Sequence, residues 1–245
     1  MSLERDRVFY LSGDMHHYER RVPGESSLHV IAGGGGSFLH GTRISPSPSG
    51  PAACAWPSAA TSRRLVAQVP LKLMAGSAGF IVHVCFAFVA TFELTATERG
   101  TGALVAAACL VSVGLAALLY LNVGHNKAHP IAVAAVAVPF GAGLGLVPMA
   151  LRLALPRIVP ALGWDMGVAV VCAFVGALGI GLFLMLIAVL GLEHEQAFSV
   201  LSHPGFKHFV RLCIHADGRI EAWTIGKDDP LGSGEPALID RFDWK

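Results

Sequence analysis

The sequence predicts a membrane protein that is mainly α-helical, with four transmembrane helices and a small α+β soluble part split between the two ends of the chain. Three observations lead to this prediction. Apolar residues make up 53% of the 245 residues and charged residues only 14%, against roughly 25% charged residues in a soluble domain. Four long apolar runs fill the middle of the chain, and strand-like patterns flank them on both sides. The prediction therefore divides the chain into residues 1–45, 46–68, 69–192 and 193–245.

The first segment, residues 1–45, contains two short predicted strands. Residues 7–12 and 28–32 are rich in β-branched and aromatic side chains and are bounded by glycine or serine, which is typical of buried strands. The first strand runs into Gly13-Asp14-Met15-His16-His17, and the second runs into four glycines at 33–36 followed by Ser37-Phe38-Leu39-His40. Four glycines in a row let a backbone pass close to a site or a ligand.

The loop after the first strand carries the candidate metal ligands Asp14 and His16. Carboxylate oxygen and imidazole nitrogen suit divalent first-row metal ions. Gly13 lets the backbone turn sharply, so that both side chains can face one point. The alternative is a surface loop whose histidines have no common function.

Residues 46–68 are predicted to be a linker. The stretch from Ile44 to Arg64 is rich in proline, serine, alanine and glycine, and such a composition cannot bury a core. We expect an unstructured or extended tether between the first segment and the apolar runs.

The apolar block, residues 69–192, contains the four predicted transmembrane helices, at 69–92, 102–123, 131–155 and 165–192. Each run exceeds the roughly 20 residues that a helix needs to cross a bilayer, and none has a clear polar face. The block predicts an integral, multi-pass protein whose partner is a lipid bilayer. Lysine and arginine near the ends of the runs number five on the side of the termini and three on the other, which favours cytoplasmic termini.

The last segment, residues 193–245, is predicted to contain a β-hairpin. Lys207–Ile214 alternates as a strand does, Asp217-Gly218 supplies a turn, and residues 220–225 form the return strand. Residues 238–244 predict a last short strand. Because about fifty residues cannot form a sizeable core alone, we expect the hairpin to pack on the strands of the first segment.

Two motif blocks of this chain resemble the calcineurin-like metallophosphoesterases, in particular a bacterial membrane-linked branch. Gly13-Asp14-Met15-His16-His17-Tyr18-Glu19-Arg20, followed by HVIAGGGGSFLH, resembles the last motif block of that superfamily, which reads Gly-His-x-His-x-Tyr-Glu-Arg in purple acid phosphatases. The stretch Glu195-Gln196-Ala197-Phe198-Ser199, followed by FKHFVR at 206–211, is similar to the segment after the membrane helices of that branch. The two blocks cover about a third of the chain, and the resemblance implies that the membrane is a bacterial inner membrane.

The resemblance implies that the soluble part is a fragment of an αββα-type fold. Enzymes of that family hydrolyse a phosphoester with a water activated by two divalent metal ions, Mn, Fe or Zn. Asp14 stands where the family has its first histidine and His16 matches the second, so both would be metal ligands. His17 matches no ligand position, which makes it a candidate catalytic residue that contacts the substrate, or else a residue that supports the ligands.

This chain lacks the earlier motifs of the superfamily, Asp-x-His, Gly-Asp-x-x-Asp and Gly-Asn-His-Asp/Glu. Those motifs supply most of the metal ligands. The sequence is therefore expected to be the C-terminal part of a larger enzyme, or the product of a lost or misassigned start, with little or no activity alone. The alternative is a non-enzymatic four-span membrane scaffold or partner subunit. The net charge of +1 argues against a nucleic-acid binder.

Overall fold

A computed structural model of the protein describes residues 7–24, 26–44, 51–96, 101–122, 130–154, 161–193 and 195–245. The chain forms two compact units. The first unit, here called the sheet unit, consists of Met1–Ala67 and Leu201–Lys245. The second, here called the helical unit, is the intervening Gln68–Val200.

The first sheet of the sheet unit has the strand order β1-β3-β2-β4. Its strands are β1 (Val8–Ser12), β2 (Tyr18–Gly24), β3 (Ser27–Ala32) and β4 (Cys54–Trp56). Strand β1 pairs in parallel with β3, whereas β2 is antiparallel to both β3 and β4. Because β1 and β3 are parallel, the loops that follow them, at 13–17 and 33–40, leave the sheet at the same end.

The second sheet of the sheet unit is an antiparallel meander. It consists of β5 (Lys207–Ile214), β6 (Ile220–Lys227) and β7 (Ala237–Trp244), in that order. The turn between β5 and β6 places Gly218 at φ +82°, which glycine adopts without steric cost, and the Gly218 N–H donates to the carbonyl of His215 at 3.0 Å.

The core of the sheet unit lies between side chains of both sheets. Leu28 and Val30 of β3 are buried and the intervening His29 is exposed, as the alternation of a strand requires. They cluster with Tyr18, Ala222 and Phe242. Full burial of an aliphatic or aromatic side chain contributes about 1.5–3 kcal/mol to folding, so this cluster stabilises the strands that precede both loops.

The segment predicted to be a linker forms two elements where it is described. Strand β4 pairs with β2, and helix α1 (Ala59–Val66) follows it. Ser58 caps this helix, since its side chain accepts the backbone N–H of Thr61 at 3.1 Å.

The helical unit contains α2 (Val69–Met74), α3 (Ile81–Ala96), α4 (Gly102–Asn122), α5 (Pro130–Gly145), α6 (Val147–Ala154), α7 (Ala161–Val189) and α8 (Glu195–Leu201). Helices α4 and α5 pack closely because α5 presents glycine to α4. A Cβ on Gly141 would lie 2.4 Å from the Ser112 Cα, and one on Gly145 would lie 2.6 Å from the Ala108 Cα. Small residues permit such backbone contact between apolar helices.

The prediction of a mainly α-helical membrane protein with four transmembrane helices is wrong. Within the described residues, two segments are long and apolar enough to cross a membrane, Ala134–Ala154 and Gly163–Val189. The other apolar segments, Ile81–Thr95 and Gly102–Leu118, are shorter. Two sheets with strands β1–β7 accompany the helices, so the fold is a mixed α/β fold.

The first apolar run shows why counting apolar residues failed. The run contains Gly76 and Gly79, both at positive φ (82° and 81°), and these turns separate α2 from α3. The remaining helix α3 has 16 residues, which span about 24 Å at 1.5 Å per residue, short of the roughly 30 Å hydrocarbon core. Backbone conformation at the two glycines, rather than hydropathy, sets the length of this helix.

Candidate functional site

The two loops that leave β1 and β3 form the candidate site. Their backbones touch, because a Cβ placed on Gly33 would lie 2.1 Å from the carbonyl oxygen of Met15 and 2.6 Å from that of Gly13. Real side-chain atoms do not approach a backbone oxygen so closely, so this position of the glycine run requires glycine. The contact brings the Asp14–His16 loop against the segment that ends at His40.

His16 is the predicted ligand that the structure fixes best. Its Nδ1 lies 2.8 Å from the carbonyl oxygen of Phe38. A carbonyl can only accept, so Nδ1 carries the proton and Nε2 keeps its lone pair. A backbone carbonyl on one ring nitrogen is the usual partner of a histidine that ligates a metal through the other. Asp14, in the same loop, is exposed.

His40 lies directly against His16. The two rings are stacked, with centroids 4.3 Å apart and planes 5° apart, and the backbone N–H of His16 donates to Nδ1 of His40 at 3.2 Å. Burial, together with the smaller effects of the nearby His16 and His17, lowers the pKa of His40 to about 4, although Asp14 opposes them. His40 is therefore neutral near pH 7, with its proton on Nε2.

His17 points into the protein interior. Its exposed fraction is 3%, and its Nε2 lies 3.7 Å from Oε2 of Glu19, beyond hydrogen-bonding distance. Neither ring nitrogen of His17 has a hydrogen-bond partner in the described structure. Of its two predicted roles, this burial favours support of the neighbouring ligands over contact with a substrate.

Glu19 is held ionised by its partners. Burial raises the pKa of Glu19, but His17 and Arg21, which donates to Oε1, outweigh burial and bring the pKa to about 2. The carboxylate therefore remains charged at any physiological pH.

His208 on β5 is a further histidine beside the loops, and the sequence did not single it out as a site residue. It is 7% exposed, its Nδ1 donates to the carbonyl of Phe206 at 3.3 Å, and its Nε2 has no partner in the described structure. Gly34 leaves the space for it, since a Cβ there would lie 2.3 Å from Nδ1 of His208. Burial lowers the pKa of His208, the hydrogen bond to the Phe206 carbonyl opposes this, and the neighbouring His17 and Lys207 contribute a smaller lowering.

A partly buried ion pair fixes the strand that follows the first loop. Arg20 donates from Nε to Oδ2 of Asp240 at 2.7 Å and from a terminal nitrogen to Oδ1 at 3.1 Å, and the Tyr18 hydroxyl donates to the same Oδ2 at 2.7 Å. Burial raises the pKa of Asp240, but these donors outweigh it and hold the pKa below its usual range. The pair joins β2 to β7 across the two sheets.

No family model, curated protein or solved structure matches this chain. The resemblance to the metallophosphoesterases thus depends on the two motif blocks alone.

The residues present fit a two-metal centre only in part. The described residues contain no group of three or more histidine, cysteine, aspartate or glutamate side chains placed to hold one ion. His16 is held as a ligand would be, and Asp14 belongs to the same loop. A complete centre would need further ligands.

Proposed function

We propose that the sheet unit supplies the last metal-binding loop of a calcineurin-like metallophosphoesterase, with Asp14 and His16 as two of the ligands. The observation that carries the proposal is the hydrogen bond from His16 Nδ1 to the Phe38 carbonyl at 2.8 Å, which leaves the Nε2 lone pair for a metal ion. The bound ions, Mn, Fe or Zn, would supply an activated water for hydrolysis of a phosphoester.

The residues of this chain would hold and orient part of the metal centre, but they would not complete it. Asp14 and His16 would bind a metal ion. The Phe38 carbonyl fixes the tautomer of His16, and the buried His17 supports the loop from the interior. The remaining ligands would come from another segment or another chain. The chain by itself is therefore expected to hydrolyse phosphoesters slowly or not at all.

We also propose that the helical unit associates with a lipid bilayer. Its two long apolar segments, Ala134–Ala154 and Gly163–Val189, support this proposal. Apolar side chains of these segments are exposed, including Val138, Met166 and Val170, and lipid would cover them at no desolvation cost. The membrane orientation predicted from the lysine and arginine count assumed four transmembrane helices, so it does not apply to a chain with two such segments among its described residues.

The ligand assignment is tested by metal binding to the full chain. We expect Mn²⁺ or Zn²⁺ to bind to the wild type by calorimetry, and binding to weaken about 10- to 100-fold in Asp14→Ala and in His16→Ala, because each removes a ligand. His29→Ala is the matched control, since His29 is exposed on β3 and its ring contacts the ring of Tyr10 instead.

Hydrolysis of a generic aryl phosphate is measured on the same proteins. Metal binding that is equal in all four proteins, or rapid hydrolysis that neither loop substitution changes, would refute the assignment of Asp14 and His16.

A further inference from the structure

His16 is held on several sides by residues of the second loop. The Phe38 carbonyl accepts from Nδ1, and the Phe38 ring meets the His16 ring edge-on, with centroids 5.5 Å apart. Gly36 lies against the ring, because a Cβ there would come within 2.3 Å of the His16 Cγ and Cδ2. The face of the ring is stacked on His40.

His40 makes two different contacts with His16, one with its ring and one with its backbone. The stack at 4.3 Å restricts the ring, and the 3.2 Å hydrogen bond from the His16 N–H restricts the main chain of the same residue. Phe38 in turn contacts the His40 ring edge-on, with centroids 5.0 Å apart. A side chain needed only to fill space would make the first contact without the second.

We propose that His40 is the positioning residue of this loop: it fixes the orientation of His16 by stacking on its ring and by accepting its backbone N–H, and so keeps Nδ1 of His16 on the Phe38 carbonyl. His40 does this as the neutral Nε2–H tautomer, because its Nδ1 lone pair is used by His16. The importance of this role for metal binding rests on the proposed function, but the positioning itself does not.

The two contacts can be removed separately. In His40→Phe a ring remains to stack, but no atom accepts the His16 N–H. In His40→Asn the amide oxygen lies near the former Nδ1 and can accept the N–H, but no ring remains. His40→Ala removes both contacts, and His29→Ala leaves both in place.

Nuclear magnetic resonance of the ¹⁵N-labelled full chain measures each contact separately, through the exchange of the His16 amide and the shifts of its ring nitrogens. In His40→Phe and His40→Ala we expect hydrogen exchange of the His16 amide to quicken about five- to tenfold, as loss of one hydrogen bond predicts, while His40→Asn exchanges as slowly as wild type. In His40→Asn and His40→Ala the His16 ring is no longer stacked and can turn Nδ1 away from the Phe38 carbonyl, so we expect its ring nitrogens to shift from the single Nδ1–H tautomer toward a mixture. The Leu39 amide, which donates to the His203 carbonyl at 2.8 Å, is the internal reference for intact folding.

The proposal is overturned if the exchange rate and ring shifts of His16 in His40→Ala equal those of wild type. It is also overturned if the Leu39 and His16 amides quicken equally in His40→Phe and in His40→Asn, since that pattern shows a general loosening of the loop. Added Mn²⁺ gives the separate test of the metal site. Failure of Mn²⁺ to broaden the His16 signals in wild type would remove the proposed function and leave the positioning role of His40 intact.

Discussion

At the scale of single residues, the candidate site depends on protonation states that neighbouring groups fix. His16, His40 and His208 each have a ring nitrogen whose role is settled by a backbone group. Glu19 is a buried carboxylate that stays ionised because of its neighbours. Such groups make stability depend on pH.

Glu19 is expected to make the sheet unit sensitive to acid. Its folded pKa, about 2, lies below the ordinary value of 4.5, so its contribution is fully present above pH 4.5 and is lost as the pH falls toward 2. The loss should reach at most about 3 kcal/mol, from roughly 1.4 kcal/mol per pH unit. Denaturant unfolding followed from pH 6 to pH 2 measures it.

Glu19→Gln is the matched variant, because it keeps the shape of the side chain and cannot ionise. The variant should unfold more easily than wild type at pH 6, and the difference should shrink as the pH falls. A wild-type curve that is parallel to the Glu19→Gln curve over this whole range would contradict the assignment.

At the scale of elements, the parallel pairing of β1 with β3 creates the site. The strands at 7–12, 28–32 and 207–214 are visible in the sequence as alternating patterns, and the structure has strands there. Strand β2, with the sequence YERRVPG, is not visible in the sequence, because its charged residues and proline are not typical of a strand. Its pairing with β3 and β4 stabilises it instead. The approach of His40 to His16 follows from strand pairing, which composition does not reveal.

The same sequence reasoning identified the loop of Asp14 and His16 but missed His40, although it noted the segment SFLH. The available signal was that both loops follow strands, and parallel strands bring their following loops to one end of a sheet. For the helices, the turns at Gly76 and Gly79 were hidden inside an apolar run. Hydropathy does not report backbone conformation, and the backbone conformation at these two glycines sets where α2 ends and α3 begins.

Gly33 gives a test of the contact between the two loops. Gly33→Ala should lower the free energy of unfolding by about 1–3 kcal/mol, because its Cβ would press on the carbonyl oxygens of Met15 and Gly13. Gly35→Ala is the matched control, since nothing lies within 4 Å of a Cβ there and Gly35 is exposed. Thermal and denaturant unfolding compare the two variants. Equal stability of both variants would show that the loops do not touch as described.

At the scale of the whole molecule, the chain joins a sheet unit to a helical unit whose surface is rich in exposed apolar side chains. We expect the full chain to float with neutral phosphatidylcholine vesicles in a density gradient, and to remain bound in 1 M salt, because burial of apolar surface is not screened by ions. Val170, which is 58% exposed on α7, gives the variant. Val170→Lys should reduce flotation, whereas Val170→Leu should not.

Release of the wild-type protein by salt, or equal flotation of both Val170 variants, would show that the long apolar helices do not enter the lipid. The measurement concerns the helical unit and leaves the ligand assignment of Asp14 and His16 to its own test.

Arg20 and Asp240 are separated by 220 positions in the chain, yet they share one partly buried ion pair. A ribosome makes Asp240 only after it has made Arg20 and the whole helical unit between them. The ion pair that joins β2 to β7 therefore forms only after the helical unit has been synthesised. A nascent chain that stops before Asp240 lacks the partner of Arg20, so β2 cannot yet be held to the second sheet by this pair.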